Sequence, residues 1–409
     1  MNILFLTLLD FESLQEKNIY TDLLREFVKN GHDIFAISPV EKRRKVNTHL
    51  VKEKNATILR LQIGNTQKTN IIEKGISTIM IEPTFKNAVR KYFSDVKFDL
   101  ILYSTPPITL VSTVEYIKKR DGARTYLLLK DIFPQNAVDI GMMNKSGLKG
   151  LLYQHFRKQE KKLYRISDRI GCMSQANADY VIKHNPEIDP QGVEVCPNCI
   201  EVIDKSVDGA AREQIRKKYG IPLDKKVFVY GGNLGKPQGI PFLTECLAKC
   251  RDIENTYFLI VGGGTEYGVL ENYVKESRQN NLKLMKSLPK EDYDDLVGGC
   301  DVGMIFLDHR FTIPNFPSRL LSCLQAKLPV LASTDPHTDI GTVIVQGGFG
   351  WWSESNDADL FAESVKAALS ANTKALGEAG YKYLKDHYTV GLQYQTIMKS
   401  LFPESSKHF

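Results

Sequence analysis

Residues 227–240 read Val-Phe-Val-Tyr-Gly-Gly-Asn-Leu-Gly-Lys-Pro-Gln-Gly-Ile, a β-branched and aromatic run that breaks into Gly231, Gly232, Gly235 and Gly239. An apolar run of that length, stopped by glycines and followed by Ile240, predicts a buried strand, a tight loop and a helix starting near Gly239. Glycines lacking a Cβ let a ligand approach the backbone. The unpaired N–H groups and positive dipole end of the helix would then face an anion, for which a diphosphate is the natural occupant. The spacing excludes a Walker A loop, because Gly231 is one residue too close to Gly235-Lys236 and Pro237 stands where a Mg-binding Ser or Thr is required. A tight strand-to-helix turn without a ligand explains the glycines equally well from this stretch alone.

The rest of the chain is long enough to extend that unit into two α/β domains. At 409 residues it exceeds one ordinary core. Its 42% hydrophobic and 25% charged residues are ordinary for a globular protein. No apolar run approaches the roughly 18–20 residues a membrane-spanning helix needs, and Met1-Asn-Ile-Leu-Phe-Leu-Thr-Leu-Leu9 lacks a signal peptide's basic flank. It reads as the first buried strand. Seven scattered cysteines point to reduced thiols of the cytoplasm, and Cys196-Pro-Asn-Cys199 has no second pair to complete a zinc site. The net charge of +6 has its whole excess within residues 1–200. That bias suits an acidic surface or partner: anionic lipid, nucleic acid or a phosphorylated substrate.

In the first half, Asn2–Leu8 reads as a strand, Leu14–Lys29 as a helix closed by Asn30-Gly31, and Asp33–Ser38 as a second strand. This β-α-β opening predicts a parallel unit whose ligand edge lies at the strand C-termini. The loop after the first strand contains no glycine, so it is no dinucleotide fingerprint. Glu41-Lys-Arg-Arg-Lys-Val46 is a charge run, either solvated or facing an anionic surface. Phe98–Tyr103 reads as a strand stopped by Pro106-Pro107, which places Ser104 and Thr105 at its C-terminal edge. Thr125–Leu129 repeats the arrangement before Lys130-Asp131. Asp131 holds the position from which α/β enzymes present a carboxylate, although a turn cap accounts for it too. From Gly147 to Arg165, Leu148, Leu151, Leu152, Phe156 and Leu163 share a face against Lys149, Arg157, Lys158, Lys161, Lys162 and Arg165. Such a basic amphipathic helix either lies on a membrane surface or covers a core with a solvated back. Strand Arg169–Met173, helix Asn177–Lys183 and an interdomain linker near 193–200 follow.

In the second half, strands at Thr256–Val261, Leu282–Met285, Asp301–Leu307 and Val330–Ser333 continue the alternation, with Gly262-Gly263-Gly264 as a second glycine turn. Pro317 suits the first turn of a helix that puts Ser318 and Arg319 at its N-terminus. A cation there opposes the helix dipole and costs about 0.3–1 kcal/mol unless it binds an anion, so a phosphate explains Arg319 better than helix stability does. Asp357-Ala-Asp359 has the spacing of a metal-binding Asp-x-Asp. At the start of a helix over 358–369 it reads instead as first-turn carboxylates, with no metal. Helices at 374–385 and 393–401 close the chain.

Together these stretches resemble the bacterial family 4 glycosyltransferases of GT-B architecture, in particular their polysaccharide-assembly subgroup. Ile19-Tyr-Thr-Asp-Leu-Leu-Arg-Glu-Phe27 with Gly31-His32 is similar to the family's first helix, and Lys130-Asp-Ile-Phe-Pro134 to the subgroup's Arg-Asp-Leu-Trp-Pro. Gly232-Asn-Leu-Gly-Lys-Pro-Gln-Gly239 resembles the donor loop, and Pro317-Ser-Arg319 with Leu328-Pro-Val330 the segment after it. Departures are also visible. The two glutamates of broader members correspond to Pro314 and Ser322, and the second of them usually holds the ribose. The phosphate-loop Arg and Lys appear as Asn233 and Gln238, leaving Lys236 the loop's only cation. The Gly-Gly pair after the first strand is missing.

The resemblance implies two Rossmann-like α/β domains facing across a cleft. The acceptor side would comprise residues 1–198, completed by a C-terminal helix within 385–409, and the nucleotide-sugar side residues 199–384. It implies transfer of a sugar with retained configuration from a nucleoside-diphosphate sugar, UDP-linked, to a saccharide acceptor carried on a polyprenyl diphosphate, in capsule, O-antigen or exopolysaccharide synthesis. No cofactor or essential metal is implied. Asp131, Lys236 and Arg319 would be catalytic. Gly232, Asn233, Gly235, Gln238, Gly263, Ser318 and Ser322 would bind the donor. Thr105, Arg157, Lys158, Lys161 and Lys162 would serve the acceptor and the inner face of the plasma membrane, where the protein would sit peripherally. The alternatives are a GT-B-fold sugar-nucleotide epimerase and a non-enzymatic membrane or nucleic-acid binding protein. A nucleic-acid role is disfavoured because basic and aromatic residues do not interleave.

Overall fold

The computed structural model describes residues 1–66 and 71–403. Residues 404–409 of the expected C-terminal segment, and the side chains of Leu148 and Lys149, lie outside what is described. The chain divides into two compact units, Met1–Glu201 with Val390–Phe409, and Val202–Thr389.

The first unit runs β1 (Asn2–Leu6), α1 (Ile19–Lys29), β2 (Asp33–Glu41), β3 (His49–Glu53), β4 (Ala56–Ile63), α2 (Ile71–Tyr92), β5 (Leu100–Ser104), α3 (Val111–Asp121), β6 (Arg124–Leu129), α4 (Gln135–Asp139), α5 (Gly147–Ile166), β7 (Arg169–Cys172), α6 (Gln175–His184) and β8 (Val193–Val195). Its sheet has the order β3-β4-β2-β1-β5-β6-β7-β8, parallel except where β3 meets β4. Ile3, Leu4, Phe5 and Leu6 are wholly buried, because a central parallel strand is covered on both faces.

Helix α1 is shorter than expected. The Asn18 side chain accepts from the backbone N–H groups of Tyr20 and Thr21, which fixes the start there and leaves 14–17 as loop. Strand β2 is longer than expected, passing through Pro39. Its neighbour β1 ends opposite Ile37, so the missing proline N–H interrupts no ladder on that side. Residues 193–195, read as linker, form the edge strand of this sheet.

The second unit runs α7 (Gly209–Tyr219), β9 (Lys226–Asn233), α8 (Ile240–Lys249), β10 (Thr256–Gly263), α9 (Tyr267–Ser277), β11 (Leu282–Lys286), α10 (Lys290–Gly298), β12 (Val302–Phe306), α11 (Arg319–Gln325), β13 (Val330–Thr334), α12 (Ile340–Gln346), β14 (Gly350–Glu354), α13 (Ala358–Ser370) and α14 (Thr373–His387). The sheet order is β11-β10-β9-β12-β13-β14, with every pair parallel. Chain order reverses between β9 and β12. In a doubly wound sheet the crevice outside the strand C-termini at that reversal is where ligands bind, and the glycine loop leaves β9 into it.

The chain then returns to the first unit as α15 (Val390–Leu401). There Tyr394 packs edge-on against Phe27 of α1 at 4.9 Å between ring centroids and hydrogen bonds to His32 Nε2 at 3.0 Å.

Candidate active site

At the β9–β12 reversal the loop is built largely by itself. Gln238 Oε1 accepts from Asn233 Nδ2 at 3.0 Å and from the Gly235 N–H at 3.2 Å. Gly239 turns the chain with φ 59° into α8. The segment leaving β12 clasps the loop from the other side, since the Asp308 N–H donates to Pro237 O at 3.0 Å. The Asp308 carboxylate is fully engaged by Arg310 through Nε at 2.8 Å and Nη2 at 2.7 Å, which holds its pKa down and keeps it ionised against its burial.

The expectation that the loop glycines make room for a ligand is corrected at Gly231, and Gly262 of the second glycine turn is likewise filled by protein. A Cβ on Gly231 would lie 1.8 Å from the Tyr293 hydroxyl of α10. One on Gly262 would lie 2.0 Å from Gly232 O on the neighbouring strand. Both glycines admit other parts of the protein. Gly232, with φ 127°, serves the site itself: a Cβ there would stand 2.7 Å from Arg319 Nη2.

Arg319 begins α11 and reaches back over β9. Its Cζ lies 4.0 Å from the ring centroid of Tyr230. Neither Arg319 nor Lys236, which is exposed on the turn Lys236–Gln238, has a carboxylate partner among the described residues. Several other cations of this unit are paired, Arg212 and Arg216 with Asp301, Lys205 with Asp294, Lys327 with Asp204 and Glu378, while Lys226, Arg251 and Lys283 donate to backbone carbonyls. The N–H groups of Leu234, Gly235, Gln238 and Gly239 are taken up within the protein, so Arg319 and Lys236 are the loop's candidates for meeting an anion at the switch point. Gly263 ends β10 in register with Asn233, bordering the loop. Ser318 is exposed and Ser322 half-buried on α11. Pro314, where a glutamate was the family expectation, is buried. Concavities of about 360 and 300 Å³, near Asn281 and near Asp301, open toward the opposite end of the strands.

In the first unit Asp131 follows β6, and both its oxygens accept from Asn136 Nδ2, at 2.8 and 2.7 Å. Burial pushes its pKa up to about 6, with the Asn136 hydrogen bonds opposing the rise and the Glu160 charge adding to it. Thr105 is buried, and its hydroxyl serves the turn rather than facing an acceptor. It accepts from the Lys130 N–H at 3.0 Å and donates to Asp131 O at 3.2 Å.

The membrane expectation for α5 is also corrected in part. Arg157 is occupied by Glu160, by His184 O at 2.8 Å and by Asn185 Oδ1 at 2.8 Å, while Lys161 pairs with Glu187 at 3.1 Å. Lys158 and Lys162 are exposed, as are Leu151, Leu152 and Met142. Elsewhere Asp357 caps α13 by accepting from the Asp359 and Leu360 N–H groups, an ordinary use of a first-turn carboxylate. Cys196 and Cys199 are buried free thiols.

Tyr230, Tyr293 and Asn136 were not anticipated as site residues. Tyr230 stood inside the quoted strand as one more aromatic, and Tyr293 reaches the loop only through tertiary packing.

The profile of the family described as glycosyl transferases group 1 matches residues 211–383, the stretch that carries this loop and Arg319. The chain carries a glycosyl transferase group 1 domain. The transferase is 23% identical over 79% of both chains to WbjE of Pseudomonas aeruginosa, described as a glycosyltransferase. It is 25% identical over 60% of both chains to WcaI of Escherichia coli strain K12, described as a colanic acid biosynthesis glycosyl transferase. Among solved structures, Anabaena HepE in complex with UDP-glucose is similar at a TM-score of 0.69 and 14% identity, covering 98% of the transferase and 99% of HepE. The two parallel-sheet α/β units are the fold class expected from the sequence, and WcaI, one of the relatives, is described in the synthesis of a polysaccharide. None of its described helices is long and apolar enough to cross a membrane.

Proposed function

We propose that the chain moves a sugar from a UDP-linked donor, with retention and without a metal or other cofactor, to a polyprenyl-diphosphate-linked saccharide in surface-polysaccharide synthesis. The observation that carries this reading is that Arg319 and Lys236, at the glycine loop of the β9–β12 reversal, have no carboxylate partner among the described residues. In the transfer the bond from the anomeric carbon to the diphosphate oxygen breaks, and its electron pair stays on the diphosphate. Arg319 and Lys236 meet that growing charge, and a donor held in place for it is worth about 3–4 kcal/mol in a water-poor site. The acceptor hydroxyl bonds to the anomeric carbon and gives up its proton. Asp131 is suited to orient that hydroxyl or take the proton, because a carboxylate with a pKa of about 6 is ionised yet basic near neutrality. HepE binding UDP-glucose supports the donor class, and the colanic acid description of WcaI supports a part in surface-polysaccharide synthesis.

Met142, Leu151 and Leu152, exposed near Lys158 and Lys162, suit peripheral attachment to the anionic inner face of the plasma membrane. The reading is tested by incubating the protein in EDTA with labelled UDP-glucose, UDP-galactose and their N-acetyl forms plus membranes containing lipid-linked saccharide. Label appearing in lipid extract supports it; conversion of the nucleotide sugar without an acceptor contradicts it.

A further inference from the structure

The cation of the donor site has an unusual mounting. Among the described residues Arg319 has no carboxylate to hold it, and what lies against its guanidinium is the ring of Tyr230, 4.0 Å away, and the bare α-carbon side of Gly232. The same tyrosine fixes the loop: its hydroxyl donates to Asn233 O at 2.7 Å. Tyr230 is wholly buried within β9, so both contacts issue from a side chain packed in the core. Burial keeps its phenol protonated and hence a donor, although the Arg319 charge opposes that rise.

A guanidinium held over an aromatic face is positioned without losing its charge and can still offer N–H groups to a phosphate. A lysine at 319 has no plane to stack and would not be oriented in this way. An acid partner would also have positioned Arg319, but it would have cancelled the charge that the diphosphate needs.

We propose that Tyr230 is the positioning residue of the diphosphate site, its ring holding the Arg319 guanidinium and its hydroxyl holding the loop carbonyl of Asn233. This rests on the reading of that site as a nucleotide-sugar donor site. Tyr230 acts through Arg319 and the loop and touches no reacting atom.

The test is a double-mutant cycle read by UDP titration calorimetry on the full chain, using Tyr230→Met, Arg319→Ala and the double variant. Methionine fills the core without presenting a π face. Tyr230→Met is expected to weaken UDP binding about tenfold, between the values of an exposed and a desolvated cation–π contact. In the Arg319→Ala background it should weaken binding less than threefold, because the group it positions is gone. Tyr230→Phe, which keeps the ring, should retain the full Arg319→Ala penalty while loosening the loop. If Tyr230→Met does not fold, site-specific fluorination of the Tyr230 ring replaces it, draining the negative face without changing the shape. Penalties that multiply in the double variant would reduce Tyr230 to a core residue and overturn the proposal. If the unmodified protein binds no nucleoside diphosphate, the donor-site reading falls and this role with it; binding with multiplicative penalties removes the positioning role alone.

Discussion

The amide nitrogen of Asn136 donates to both carboxylate oxygens of Asp131, at 2.8 and 2.7 Å, and so opposes the burial that lifts this acid's pKa to about 6. Without Asn136 nothing of that strength would stand against burial and the Glu160 charge. In Asn136→Ala the acid limb of the kcat/KM profile should therefore move up from near 6 by about one unit, since hydrogen bonds to a carboxylate favour its charged form. A limb that stays in place would take Asp131 out of the ionisation that controls turnover.

Stability should respond with the opposite sign from a salt-bridged acid. Asp131 has a folded-state pKa raised above its ordinary value of 3.8, so its contribution is fully present below 3.8 and is lost as pH rises through about 6. Asp131→Asn removes that penalty and should make the protein more stable at pH 7, by about 1–3 kcal/mol in urea melts, while abolishing any acid-base role. A destabilised Asp131→Asn protein would contradict the assigned direction.

The glycines separate by what a methyl group would strike. Gly231→Ala places a Cβ 1.8 Å from the Tyr293 hydroxyl and Gly262→Ala one 2.0 Å from Gly232 O, so each should cost about 1–3 kcal/mol or more in urea unfolding. Gly268, on α9 with nothing within 4 Å of an added Cβ, should gain about 0.4–1 kcal/mol on becoming alanine. Equal effects at all three would contradict the packing described.

Much of the fold was legible because the central strands of a parallel sheet, such as Phe98–Tyr103 and Val227–Tyr230, are apolar runs buried on both faces and stopped by proline or glycine. The hairpin of β3 and β4 gave no such signal: Lys52, Glu53 and Lys54 interrupt its edge. Helix α2 carries Pro83 and shows no single apolar face, so its periodicity was silent. At the site, Arg319 could be recognised from a local argument, a cation at the wrong end of a helix. The tasks of Gly231, Thr105 and Arg157 could not, since each is set by a partner far along the chain: Tyr293, the 130–131 backbone, and Asn185.

The basic helix makes a divided prediction. Replacing Lys158 and Lys162 by alanine should reduce co-sedimentation with phosphatidylglycerol vesicles about tenfold, at roughly 1 kcal/mol per lost cation after partial compensation, and leave the melting temperature unchanged. Replacing Arg157, which is tied to Glu160, His184 and Asn185, should lower the melting temperature instead. Vesicle binding that ignores Lys158 and Lys162 would remove α5 from the membrane face.

Thermal stabilisation by UDP, GDP, ADP and TDP in EDTA, compared between the unmodified protein and Arg319→Ala, tests the donor site most directly. A nucleotide at 100 times its dissociation constant should add about 2.7 kcal/mol, and UDP should do so without metal. The account predicts that Arg319→Ala loses this stabilisation and about 100-fold in turnover. UDP stabilisation that survives in Arg319→Ala, or that appears only when a divalent metal is added, would contradict it.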